Sequence, residues 1–123
     1  MTTRHSELLL KYFRNPAHAG ALDINLPHIF SAKLKSADQS EVVELYLEIN
    51  ENKILKAKFK AAGSVAIIAG AEFLCEYVIN KNMTEINQLT AECILKQLGL
   101  TTLKIHTAQL LILVLHKTLG ASS

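Results

Sequence analysis

Of the side chains able to bind a metal or act as nucleophiles, the two cysteines, Cys75 and Cys93, come first. They stand well apart with no C-x-x-C spacing, so they offer no ready thiolate site for zinc or iron–sulfur chemistry. Each reads instead as a small buried or half-buried hydrophobe. His5, His18, His28 and His116 share no metal-ligand spacing, and His5 is assigned no role. Lys33, Lys35, Lys56, Lys58 and Lys60 gather on neighbouring segments, but Phe59, the aromatic between Lys58 and Lys60, alternates to the opposite face and is not placed among them to stack bases. They read as a solvated outer face or as guards of an edge strand.

The balance of 13 basic against 11 acidic side chains leaves a net charge of +2, far from the excess of a dedicated nucleic-acid binder. Half of the 123 residues are apolar, enough to bury one sizeable core, and residues 1–123 are expected to form one domain. The first residues carry too short an apolar run for a signal peptide, which points to a cytoplasmic address. The longest apolar stretch, Leu110 to Leu115, is six residues, where a membrane span needs roughly 20, so membrane insertion is not expected.

Residues 6 to 13 predict a helix that ends near Arg14, because Asn15 precedes Pro16 and is disfavoured from helical geometry. A loop to about Pro27 follows, carrying Gly20 and Asp23. Alternation over 28–35, 41–49 and 54–62 predicts three strands. Val43, Leu45, Leu47 and Ile49 share one face of the second, and Leu55, Ala57 and Phe59 one face of the third. The polar link 50–53 is hairpin-sized. From Ser64 the pattern becomes helical: a long apolar segment to Ile79, a short helix capped near Asn82, another from Thr90 to Gly99, and a last one from about Ile105 to Leu119. The order predicts an α+β fold, a three-stranded antiparallel sheet packed against helices.

Three strings in that order resemble the IscU/NifU family of iron–sulfur cluster assembly scaffolds, across nearly the whole chain. Residues 12–20, Tyr-Phe-Arg-Asn-Pro-Ala-His-Ala-Gly, are similar to the family's Y-x-N-P-x-N-x-G segment. Residues 58–67 resemble its F-x-x-x-G-C run at the sheet-to-helix junction, and Leu103-Lys104-Ile105-His106-Thr107 its V-K-I-H-C string. The resemblance implies a fold of the SufE/NifU type and a cluster or zinc site of three cysteines with an aspartate and a histidine nearby. On this chain the three cysteine positions fall on Gln39, Ser64 and Thr107, so every thiolate is absent. Glu41 takes the aspartate's place and His106 keeps the histidine's. One nitrogen and one oxygen donor would make at most a weak iron or zinc site and would not hold a cluster.

The loop that carries the family's first cysteine is glycine-rich; here residues 30–40 contain no glycine and have lost that permissiveness. The family's L-P-P-V-K segment, read by a specialised heat-shock chaperone, is Leu100-Thr101-Thr102-Leu103-Lys104, without the prolines that preset its extended shape. The final helix, by contrast, is apolar all round over Leu110 to Leu115. Leu111, Ile112, Leu113, Val114 and Leu115 are therefore expected to form part of a subunit or self-association interface.

Two readings follow. The first is a non-catalytic IscU-like protein that has lost cluster binding and serves as an accessory or structural subunit through protein contacts. Its partner would be a larger complex or a second copy. The second is a residual role in cluster assembly or in iron or zinc binding through His106 and Glu41, with a cysteine desulfurase as its partner. An enzyme is not expected: Ser64 and His106 would be neighbours in such a fold, but no carboxylate or oxyanion device is visible to orient them.

Overall fold

The computed structural model describes residues 6–122; His5 lies outside them. Helix α1, Glu7–Arg14, starts at Ser6, whose hydroxyl accepts from the Leu9 N–H at 3.0 Å and donates to the Leu98 carbonyl at 2.8 Å. One side chain thus caps the first helix and ties it to the end of a distant one. The helix stops at Asn15, before Pro16.

Strands β1 (Ile29–Lys35), β2 (Val42–Asn50) and β3 (Lys53–Ala62) form an antiparallel sheet in the order β1-β2-β3. Glu51 and Asn52, both at positive φ, make the tight β2–β3 turn, the handedness that matches strand twist. The inner face is Val43, Leu45, Leu47 and Ile49 with Ile54, Ala57 and Phe59, all buried.

Leu55 is not among them, which corrects the alternation expected for β3. The register slips between Glu48, opposite Lys56, and Ile49, opposite Ile54, so Leu55 is the extra residue of a bulge and is exposed. A bulge shifts the two-residue period by one, so Ile54 turns inward in its place. On the outer face Glu44 stands in register between Lys33 and Lys60, and Glu48 opposite Lys56. The strand lysines are thus interleaved with carboxylates.

Helix α2, Val65–Val78, lies across β3, with α1 packed against it. The short α3 (Met83–Ile86) has a full capping box from Asn82 and Glu85, and α4 (Ala91–Leu98) runs from its Thr90 cap to Gly99, which takes the left-handed conformation at φ +67°. A 3-10 turn, Thr102–Lys104, leads into α5, Ile105–Gly120, which packs on β1, β2, α2 and α4. Among the described residues no helix is long and apolar enough to cross a membrane.

The packing of α5 corrects the expected interface. Leu111, Val114 and Leu115 are wholly buried, Ile112 is half-buried, and Leu113 alone of the five is exposed, at 59%. The helix is apolar on most sides because it is covered on most sides, by the sheet on one and by α2 and α4 on the others. The approach to α2 is close: a Cβ at Gly70 would overlap the Leu111 side chain.

Candidate functional site

The five residues carried over from the resemblance lie where the 36–41 loop, the start of α2 and the start of α5 meet. Ser64 caps α2, accepting from the Ile67 N–H at 3.2 Å, and its hydroxyl donates a very short hydrogen bond to Glu41 Oε2. Thr107, buried in the first turn of α5, donates to Glu41 Oε1 at 2.8 Å. Gly63 makes this approach sterically feasible. It sits at φ +134°, and a Cβ there would lie 2.9 Å from the Ser40 carbonyl and 3.0 Å from Glu41 Cγ.

One carboxylate therefore joins two of the three positions that the resemblance assigns to cysteines. Charge-assisted hydrogen bonds of this kind are shorter and about twice as strong as neutral ones. The third position is apart from them: Gln39 is exposed at the tip of the loop at φ +63°, its N–H donating to the Ser36 carbonyl at 2.9 Å. His106 is exposed on the rim of the same cleft. A carboxylate does sit beside Ser64, but it accepts the hydroxyl's hydrogen bond itself and orients no histidine towards it.

The loop is closed by side chains in place of glycine. Asp38 Oδ1 accepts from the Ser40 hydroxyl at 2.7 Å, the Ser36 hydroxyl at 2.8 Å and the Ser40 N–H at 3.0 Å. Ser36 Oγ in turn accepts from the Glu41 N–H at 3.0 Å. The Ser40 hydroxyl, followed by the other two donors, holds the Asp38 carboxyl down at about 2, against an ordinary 3.8. A carboxyl lowered in the folded state contributes its stabilisation above its ordinary value and loses it as pH falls through the lowered one. Two-dimensional NMR should therefore show the Ser40 and Glu41 amides unshifted down to about pH 4 and displaced as the pH approaches 2. Asp38→Ala should show the displaced positions at every pH.

The cleft between loop and helix has a volume of about 860 Å³. Glu41, Ser64 and Thr107 line it together with Lys104 and His106, and Leu103 and Leu113 stand on it, 87% and 59% exposed. Its chemistry is that of hydroxyls, two carboxylates, an imidazole and lysine cations, with no soft donor among them. Soft thiolates, which iron–sulfur clusters require, are missing.

The NifU-like N terminal domain profile matches residues 4–121. The chain belongs to that family. It is 24% identical to Iron sulfur cluster assembly protein 1 of Encephalitozoon cuniculi, over 89% of this chain and 79% of the relative. It is 26% identical to the Iron-sulfur cluster assembly scaffold protein IscU of Azotobacter vinelandii, over 86% and 84%. The crystal structure of a nitrogen-fixing NifU-like protein (N-terminal) from Brucella abortus superposes with a TM-score of 0.76 at 12% identity, over 94% and 92%, and so shows the same fold. The fold expected from the sequence, three antiparallel strands against helices, is the fold of these neighbours.

A second polar group escaped the sequence reading. Glu72, wholly buried in α2, accepts the His18 backbone N–H at 2.7 Å and pairs with His18 Nδ1 at 2.6 Å. Tyr12 donates its hydroxyl to Glu76 at 2.8 Å, one helical turn further on. Burial raises the Glu72 carboxyl; burial also pushes Glu76 up, but hydrogen bonds from Glu72 and Tyr12 outweigh it and leave Glu76 lowered. Burial and the Glu76 bond push the Tyr12 hydroxyl up to about 12. The signal was a carboxylate inside the apolar run 65–75, since a charge there requires a partner. Cys75 is buried and its thiol raised by that burial; Cys93 is half-buried.

Proposed function

We propose that this NifU-like chain does not hold an iron–sulfur cluster and acts through protein contacts, as an accessory or structural subunit of one domain in the cytoplasm. The observation that carries the reading is the Glu41 carboxylate bonded to both Ser64 and Thr107. Two ligand positions are spent on an internal clamp, Gln39 stands apart from it, and no sulfur donor lies among the residues lining the cleft. The clamp and the Asp38 turn fix a loop whose movement a cluster-loading site would use. Exposed Leu103 and Leu113 beside Lys104 give the rim of this cleft the mixed apolar and cationic character of a protein contact. A cysteine desulfurase or a larger complex fits that contact, as does a second copy. The rim offers no stacking aromatics for nucleic acid and no membrane-inserting segment.

The alternative, iron or zinc held by Glu41 and His106, is favoured by their lining one cleft. Metal analysis of protein purified without oxygen separates the two. The proposal expects neither sulfide nor iron, and no metal whose content falls in His106→Ala. Stoichiometric iron or zinc that disappears in that variant would overturn it in favour of the alternative.

A further inference from the structure

Among the described residues Glu72 is the one carboxylate that the fold buries completely, and it is not part of the cleft. It lies eight residues along α2 from Ser64, roughly 12 Å at the helical rise. Glu76 follows at i+4, on the same face. The 16–20 loop brings His18 against both, and α1 brings Tyr12. One ligand atom from each of His18, Glu72 and Glu76 lies within 4.8 Å of the others.

We propose that His18, Glu72 and Glu76 form a binding site for a divalent transition metal, zinc being the simplest occupant. The donor set is one imidazole nitrogen and two carboxylate oxygens. Such N/O sets suit zinc, manganese or ferrous iron, whereas a cluster or cuprous ion requires sulfur. Donors about 2.1 Å from one tetrahedral ion sit about 3.4 Å apart, so a small contraction of the observed group suffices. His18 Nδ1 would exchange its direct contact with Glu72 for the ion, leaving Glu72 bound to the His18 backbone N–H.

Three features orient the donors in advance. The His18 carbonyl accepts from the Phe59 N–H at 3.1 Å and Gly20 N–H donates to the Phe59 carbonyl at 2.7 Å, pinning the loop to the edge of β3. The His18 N–H fixes one Glu72 oxygen. The Tyr12 hydroxyl fixes one oxygen of Glu76, the outer-sphere arrangement that holds metal ligands in place, and the hydrogen bond that Glu76 shares with Glu72 would give way to the ion. His18 is only half-buried and Glu76 is exposed, so the ion has a path from solvent and room for water.

The test is calorimetric titration of chelator-stripped protein with zinc sulfate, on the wild type and on Glu76→Gln, His18→Asn and His106→Ala. The wild type should bind one zinc per chain with a Kd in the micromolar range, on the order of −8 kcal/mol. Binding should weaken at least about tenfold in Glu76→Gln and in His18→Asn. It should be unchanged in His106→Ala, which separates this site from the cleft. Absence of saturable binding, or saturable binding that Glu76→Gln leaves intact, would overturn the proposal. Glu76 is at the surface and its amide is isosteric, so that variant keeps the question answerable if His18→Asn fails to fold; circular dichroism without zinc checks this.

Discussion

Leu111→Ala is expected to lower the unfolding free energy by about 3 kcal/mol, and Leu113→Ser on the same helix by less than about 0.5 kcal/mol. Leu111 has no exposed surface and lies against α2 at Gly70, where a Cβ would overlap its side chain. Its truncation leaves a cavity that neither helix can close, because α5 is also held by the sheet and α4. In a chain of this size the loss corresponds to a fall in Tm of about 10 °C. Leu113 is 59% exposed, so its replacement removes apolar surface that the folded chain leaves largely in solvent. Urea unfolding of the two variants checks the contrast. Comparable losses for both would mean that α5 is covered differently from the packing described above.

Glu41→Leu is expected to cost about 2 kcal/mol, more than Ser64→Ala or Thr107→Val, each about 1 kcal/mol. The carboxylate accepts from both hydroxyls, so its removal strands two donors at once, one of them buried. Either single hydroxyl variant leaves the other bond in place. Ser64→Ala is the costlier of the two in one respect, because the Ser64 oxygen also caps α2 and that cap is lost with the bond to Glu41. The effects should be non-additive: Glu41→Leu combined with Thr107→Val should cost less than the sum of the two. Denaturant unfolding across this cycle is the measurement, and strict additivity would mean that the clamp does not act as a unit.

Local chemistry made most of the fold legible. Pro16 ends α1, Ser64, Asn82 and Thr90 cap the helices they precede, and Gly99 ends α4, each through an interaction spanning a few residues. The bulge at Leu55 was not legible, since Ile54 and Leu55 are both apolar and either satisfies a two-residue period. Nor was the burial of α5. A helix apolar all round says that it is covered, but whether by its own chain or another depends on α2, α4 and the sheet arriving on different sides. For the site, the resemblance supplied the positions of Glu41, Ser64 and Thr107. The bonds between them depend on Gly63 admitting the loop, a contact the order of residues does not reveal. His18 and Glu72 are 54 residues apart, and only the buried carboxylate hinted that a partner existed.

The central claim is that this NifU-like chain lacks cluster binding because hydroxyls and an amide stand where thiolates are needed. Anaerobic reconstitution with ferrous iron and sulfide, followed by gel filtration, compares the wild type with a variant carrying Gln39→Cys, Ser64→Cys and Thr107→Cys. The wild type is predicted to emerge without sulfide and without visible absorption, and the triple variant to retain iron and sulfide together with sulfur-to-iron charge-transfer bands. Retention of stoichiometric iron and sulfide by the wild type would contradict the account.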